Sequence, residues 1–362
     1  MPDRDGEATE SWGQPPAPAP TGASRLRRFA GGAVGVTVIV VVFAVLLPRI
    51  ANYSEVWDVV TSLSDRALLA LAVATVINVL TYGPPWMASL PGLGFRQSMV
   101  LTQSSSALSM AVPGGDAVGI AASYAMLTQW GFRRHAVAAA VVVTGVWNQI
   151  VNVTLPLFAL GLLLLSGGSS PVLVTAGMIG MAAIAVLVVA LVLIMRSERQ
   201  AVAIGDRAER LANRLLRAIR RPPRSGWGAS FAHFRSEAID LLAARWAVIT
   251  VAAFVGHLTV FGVLLVSLRV TGVGADQVTW VEAMAAWGLV RLLTAIPITP
   301  GGIGIVELGL STALVGFGAG DAEAVAAVLL YRVLTTLPTL VLGAVLGLTW
   351  RRHRAPRTQA DA

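Results

Sequence analysis

Ile296-Pro297-Ile298-Thr299-Pro300-Gly301-Gly302-Ile303-Gly304-Ile305-Val306-Glu307 interrupts a long apolar region with two prolines and three glycines. A second interruption of the same kind stands earlier, in Ser109-Met110-Ala111-Val112-Pro113-Gly114-Gly115-Asp116-Ala117-Val118. Each pairs a Pro-Gly-Gly tripeptide with an acidic residue soon after it. A helix facing lipid does not tolerate such a break, because each freed backbone group in hydrocarbon costs several kcal/mol. Broken apolar segments at corresponding places in two halves of a chain point to a transport site.

Outward from these breaks the chain is apolar throughout. It is 56% hydrophobic and 13% charged, with a mean hydropathy of +0.73. A soluble fold of 362 residues does not bury that much apolar surface, so the composition is that of a polytopic membrane protein. There are no cysteines, which excludes disulfide frameworks, Cys-ligated metals and thiol nucleophiles. All 27 basic residues are Arg, a bias that fits a GC-rich, actinobacterial genome. The net charge of +8 does not signal nucleic acid, because the Arg residues cluster at the ends of apolar spans rather than among aromatics on a soluble domain.

Residues 1–24 are rich in Pro, Ala and Ser, lack periodicity and read as a disordered tail. The membrane region of 25–350 then begins with Arg25, Arg27 and Arg28 before an uncleaved first span over 29–47. Further full spans are expected over 67–90, 136–165, 171–195, 246–270 and 322–349. Regions 97–130 and 278–317 are split by the breaks and read as re-entrant helical hairpins. The predicted fold is therefore an all-α polytopic membrane protein with about six full spans plus two hairpins.

Charge orients it. Segment 196–245 holds eleven Arg against five acidic residues and is expected to be cytoplasmic. Counting from it places Arg96, Arg133, Arg134 and the tail 351–362 on the same side. Glu55, Asp58, Asp65, Asp276, Asp321 and Glu323 fall outside. Within the basic segment, Phe231, Phe234, Ala238 and Leu241 share one helical face, which predicts an amphipathic helix resting on the membrane or against the bundle.

Placing Pro113 on Pro300 gives an offset of 187 residues, at which Gly115 and Gly131 match Gly302 and Gly318. An Ala/Val-rich span follows each break. Two spans lie between the units, so they read as inverted-topology repeats.

Ionisable residues inside spans are functional candidates by default. The second hairpin holds Glu282, Arg291 and Glu307, with Thr299, Pro300, Gly301 and Gly302 at its break and Tyr331-Arg332 in the span that follows. Arg291 and Arg332 have two readings: charge pairs with those glutamates, or contacts to phosphate through the planar guanidinium fork. Helices starting after Gly115 and Gly302 would offer N–H groups to an anion. Asp116, beside Pro113, Gly114 and Gly115, reads as a helix cap that leaves a role in transport open, and with Glu282 and Glu307 it would contact an amine or balance the arginines. Trp147-Asn148-Gln149 and Asn152 form a polar stripe that either glues helices or lines a cavity. His257 reads as packed. No Gly-x-Ser-x-Gly elbow, His-Glu-x-x-His or Walker loop is present, so no enzyme, metal or cofactor is expected.

The second break, followed by Leu329-Leu330-Tyr331-Arg332-Val333-Leu334-Thr335-Thr336, resembles the transmembrane, flippase-like domain of lysylphosphatidylglycerol synthases. Val112-Pro113-Gly114-Gly115-Asp116 matches that family's first motif, and the resemblance covers roughly residues 30–350. It implies a lipid translocator, here a stand-alone member: the chain ends at Ala362, and the aminoacyltransferase domain of the full synthases is not expected. Where the family often carries charges after the first break, this chain has Asn148, Gln149 and Asn152, which leaves a neutral or anionic lipid open.

The expected function is an inner-membrane flippase for a phosphate-bearing phospholipid or polyprenyl-linked lipid. Its termini would be cytoplasmic, and an envelope glycosyltransferase or lipid-modifying enzyme its partner. The alternative is a non-catalytic scaffold for such a glycosyltransferase.

Overall fold

The computed structural model describes residues 53–111, 115–165, 226–293 and 302–350, with isolated positions between 182 and 214. All described secondary structure is helical. In chain order the helices are α1 (Tyr53–Thr61), α2 (Asp65–Leu80), α3 (Pro84–Ser89), α4 (Phe95–Ala111) and α5 (Asp116–Gln129). They continue with α6 (Arg134–Leu165), α7 (Trp227–Val270), α8 (Trp280–Leu293), α9 (Ile305–Phe317) and α10 (Asp321–Gly347). Among the described residues, four stretches are long and apolar enough to cross a membrane: Asp65–Ser89, Arg134–Ala159, Ala238–Val270 and Asp321–Gly347. They coincide with the spans expected over 67–90, 136–165, 246–270 and 322–349. The expected span over 29–47, almost all of 171–195, and the tails 1–24 and 351–362 lie outside the described residues.

Two of these stretches differ from the sequence reading. The span expected over 67–90 is interrupted: α2 stops at Leu80, the chain turns through Thr81–Gly83, and α3 restarts on Pro84-Pro85. Proline has no N–H to donate and its ring collides with the preceding turn, so it begins helices and does not continue them. Gly83 is required by proximity, since a Cβ there would lie 2.6 Å from Ser98 Oγ on α4. The second difference is at 227–270, where the amphipathic helix and the span beyond it form one 44-residue helix. No proline separates them. Ala238 is buried with Ala88 of α3 and Val143 of α6, so this segment packs on the bundle.

The helices on either side of each Pro-Gly-Gly break pack against each other. In the first, Gly119 of α5 meets the Ser105 carbonyl of α4, 2.8 Å from where a Cβ would be. In the second, Gly309 of α9 meets Val290 of α8 at 3.2 Å, and Gly318 closes against the Gln277 carbonyl at 3.2 Å. The described parts of the arms hold 13 to 17 residues, or about 20–25 Å each.

The two hairpins open at opposite ends of the bundle. Trp130, closing the first, donates from Nε1 to the Trp350 carbonyl beyond α10 at 2.7 Å, and Ser104 Oγ donates to the Gly343 carbonyl at 3.3 Å. The base of the second lies at the start of α10, where Glu323 Cγ stands 3.9 Å from the Cβ position of Gly272. There Arg269 ties the loop down by donating to the Val273 and Val278 carbonyls at 2.8 and 2.9 Å. Exposed Trp57 and Trp280 mark this acidic end and exposed Trp246 the basic one, as aromatic belts do at the two faces of a bilayer.

Each hairpin's first arm packs on the span that follows the other hairpin. Gly343 of α10 is pressed against Gln103 and Ala107 of α4, while Pro156 of α6 is pressed against Gly288 of α8 at 2.6 Å from a Cβ position. Pro156 and Gly343 stand at the same 187-residue offset as the breaks. Substituting Gly288→Val or Gly343→Val forces these backbones apart, an overpacking cost of about 1–3 kcal/mol. Each variant is expected to melt lower in a thermal-unfolding assay of the detergent-solubilised protein. Gly145→Ala and Gly262→Ala, with nothing within 4 Å of their Cβ positions, are expected to melt no lower than the parent.

Candidate functional site

A cavity of about 200 Å³ lies where five helices and the α2–α3 turn converge. Helical spacing explains its lining. Thr102, Ser105 and Ser106 share one face of α4 at i, i+3 and i+4. Thr144 and Asn148 are one turn apart on α6, and Ala253, Gly256, His257 and Val260 line one stripe of α7. The turn and α3 supply Thr81, Tyr82, Pro85 and Trp86, and α8 supplies Arg291. Among the described residues the lining contains this one arginine and no carboxylate. Thr144 Oγ1 is buried without a hydrogen-bond partner among them, the condition of a group awaiting a water or ligand.

Arg291 is held from behind by an aromatic shelf. Its guanidinium carbon sits 4.7 Å from the centroid of the Trp287 ring, within cation–π range. Trp287, fully buried, is fixed in turn by donating from Nε1 to the Tyr331 hydroxyl at 3.0 Å and by a tilted contact with Phe261 at 5.7 Å. Tyr331 thus acts through Trp287 on the orientation of Arg291.

Arg332 has a different environment from Arg291. Its Nε donates to Glu307 Oε1 at 2.8 Å, with the carboxylate side chain 4% exposed. Glu307 Oε2 accepts from the Gly304 N–H at the start of α9. Gly304 needs its φ of +88° to make that turn, and Gly302 before it has a φ of +68°. Glu307 therefore caps its own helix and neutralises Arg332 at the tip of the second hairpin. Glu282 is occupied locally: it accepts from Thr279 N and Oγ1, both at 2.8 Å, while its N–H donates to Thr279 Oγ1 at 3.3 Å, a capping box at the start of α8.

Asp116 is the first residue of α5 and is exposed; the N-cap position belongs to Gly115, whose φ of −63° is ordinary. Of the polar stripe, Asn148 reaches the cavity. Asn152 bonds to Gln149 Oε1 at 3.2 Å and faces His257 Nε2 at 3.1 Å. His257 Nδ1 lies 2.9 Å from the Ala253 carbonyl, so it carries a proton there. Pro113, Gly114, Thr299, Pro300 and Gly301 lie outside the described residues.

The sequence reading missed Thr81, Tyr82, Thr102, Ser105, Ser106 and Thr144 as lining residues. Two signals were present. Gly83-Pro84-Pro85 is a third break in an apolar stretch, and Gln103-Ser104-Ser105-Ser106 is a polar run inside a membrane helix.

The model of the lysylphosphatidylglycerol synthase TM region matches residues 32–343. The chain belongs to that family. This membership agrees with the resemblance carried by the two broken motifs, and the chain is membrane-embedded. No curated protein matches it.

The Glu307–Arg332 pair makes a direct prediction. Glu307→Gln strands a largely buried guanidinium, at a cost of about 3 kcal/mol. The melting temperature is expected to fall for Glu307→Gln or Arg332→Gln alone and to recover in part in the double variant, where neither charge is left uncompensated.

Proposed function

We infer that the chain translocates a phosphate-bearing lipid, or a lipid-linked precursor, between the leaflets of the bacterial cell membrane without chemical change to it. The observation that carries this reading is the cavity: a polar, carboxylate-free chamber with an aromatic-backed arginine, inside a bundle whose lipid-facing sides are Val and Leu. Guanidinium is the side chain suited to phosphate through its planar fork of donors, and the surrounding hydroxyls can complete the shell of a headgroup. At about 200 Å³ the chamber is below the 300–1,000 Å³ usual for a site that engulfs a whole ligand, which suits a headgroup alone.

The opposed hairpins support an inverted repeat in which each broken segment is re-entrant, its first arm packed on the other unit's span. The basic residues at one end and acidic residues at the other support cytoplasmic termini. Arg291 and the α4 hydroxyls are the headgroup contacts; Arg332 and Glu307 hold the second tip in shape.

The test is a leaflet-resolved assay on the full-length protein in vesicles of phosphatidylethanolamine and phosphatidylglycerol, with a headgroup-labelled phosphatidylglycerol quenched from outside. Arg291→Gln is expected to abolish protein-dependent translocation in protein that still folds, its melting temperature lowered only modestly by the lost cation–π contact. Arg291→Lys, which keeps the charge and loses the fork, is expected to fall between. Full translocation by Arg291→Gln would remove the headgroup assignment.

A further inference from the structure

Beside the polar cavity lies a second depression of about 490 Å³ that is apolar throughout. Its walls are Pro84 of α3 on one side and Val248, Val251 and Val255 of α7 on the other. The three valines fall at i, i+3 and i+7, one helical face, and are 58%, 63% and 43% exposed, so the depression opens sideways from the bundle. Thr81 borders both spaces. On α7 the two linings interleave: Ala252 and Val255 face the depression, and Ala253 and Gly256 face the cavity. The partition between them is therefore a single turn of chain, Thr81–Gly83, laid on α7. It is fastened there by the Thr81 and Thr259 hydroxyls at 2.7 Å, and the Thr81 carbonyl sits 3.5 Å from the Cβ position of Gly256.

We propose that the depression is the acyl-chain half of the substrate site: one hydrocarbon chain of the lipid lies along Val248, Val251 and Val255 while its headgroup occupies the Arg291 cavity. This inference rests on the translocator reading and adds where the lipid enters. Three observations select an acyl chain as occupant. The cavity is too small for a whole lipid. The depression offers no polar partner to a peptide or a water-soluble ligand. Its position, beginning two residues after Arg245, puts it in the leaflet on the basic side, where lipid is the surrounding medium. The Thr81–Pro85 segment is then the lateral gate through which the headgroup passes. Its helix break supplies an opening that an unbroken span would close.

The cysteine-free, full-length protein tests this in phosphatidylethanolamine vesicles containing phosphatidylglycerol with a diazirine in one acyl chain. Mass spectrometry is expected to find photo-adducts on Val248, Val251 and Val255 severalfold above those on Val73 and Val76. These latter residues are similarly exposed on α2 but line neither the cavity nor the depression. Arg291→Gln is expected to erase that excess, because nothing then anchors the headgroup. Val251→Trp and Val255→Trp, at surface positions that leave folding intact, are expected to slow translocation about tenfold, the factor for at least two methylene groups losing their burial. Val73→Trp is expected to leave the rate unchanged.

Equal labelling of Val251 and Val73 would overturn the proposal, as would an excess that persists in Arg291→Gln, which marks a structural lipid. If Arg291→Gln stops translocation while both groove variants run at the parental rate, the groove assignment falls and the translocator reading stands. If the parent protein moves no lipid, the translocator reading itself falls.

Discussion

Inside a membrane, the backbone must be hydrogen-bonded by protein wherever a helix stops, since hydrocarbon offers no substitute. The architecture follows from satisfying that demand twice. A break at the tip of one hairpin is tolerable only if another part of the chain covers it. Each unit covers its counterpart's first arm with its own long span, α10 over α4 and α6 over α8. Close approach is needed for such covering, and it comes from small or ring-shaped residues at the contacts: Gly343 on Gln103 and Ala107, and Gly288 on Pro156. In lipid these contacts are held by packing and not by the exclusion of water, so a lost ångström at either clasp is felt directly.

The same arrangement separates the two arginines that the sequence presents as equivalents. Arg332 lies at the level of the second tip, where the turn into α9 exposes a helix start, and Glu307 serves both the Gly304 N–H and the guanidinium. Arg291 lies on the other arm, backed by Trp287. A neutralised charge can stabilise a tip but has little left to offer an anion. Arg291 instead lines the cavity with the Trp287 ring behind it.

Much of the fold was legible in the sequence because its controlling features are local and chemical. Pro300-Gly301-Gly302 and Pro113-Gly114-Gly115 cannot continue a helix, and runs of Val, Leu and Ala between Arg clusters have a length set by the bilayer. Both signals act residue by residue. The turn at Thr81–Gly83 was of the same kind, but its Gly-Pro-Pro stands near the end of an apolar run and reads there as a terminus. The cavity was less accessible. Ser105, Thr144, His257 and Arg291 sit on four helices more than a hundred residues apart in places, and only the packing of those helices brings them to one chamber. Sequence also could not distribute the carboxylates. Glu282 and Glu307 have the same chemistry, and the conformation of the neighbouring turn decides that one caps the start of α8 while the other meets Arg332.

The single helix Trp227–Val270 has a mechanical consequence. Its 44 residues span about 66 Å, roughly twice the hydrocarbon thickness. The part before Arg245 is a rigid extension of the same rod that carries His257, Val251 and Val255. A force applied to residues 227–240 is delivered without a joint to one wall of the chamber and one side of its opening, with the bundle contact at Ala238 as fulcrum. Whatever grips the basic segment holds a lever whose short arm is one wall of the chamber.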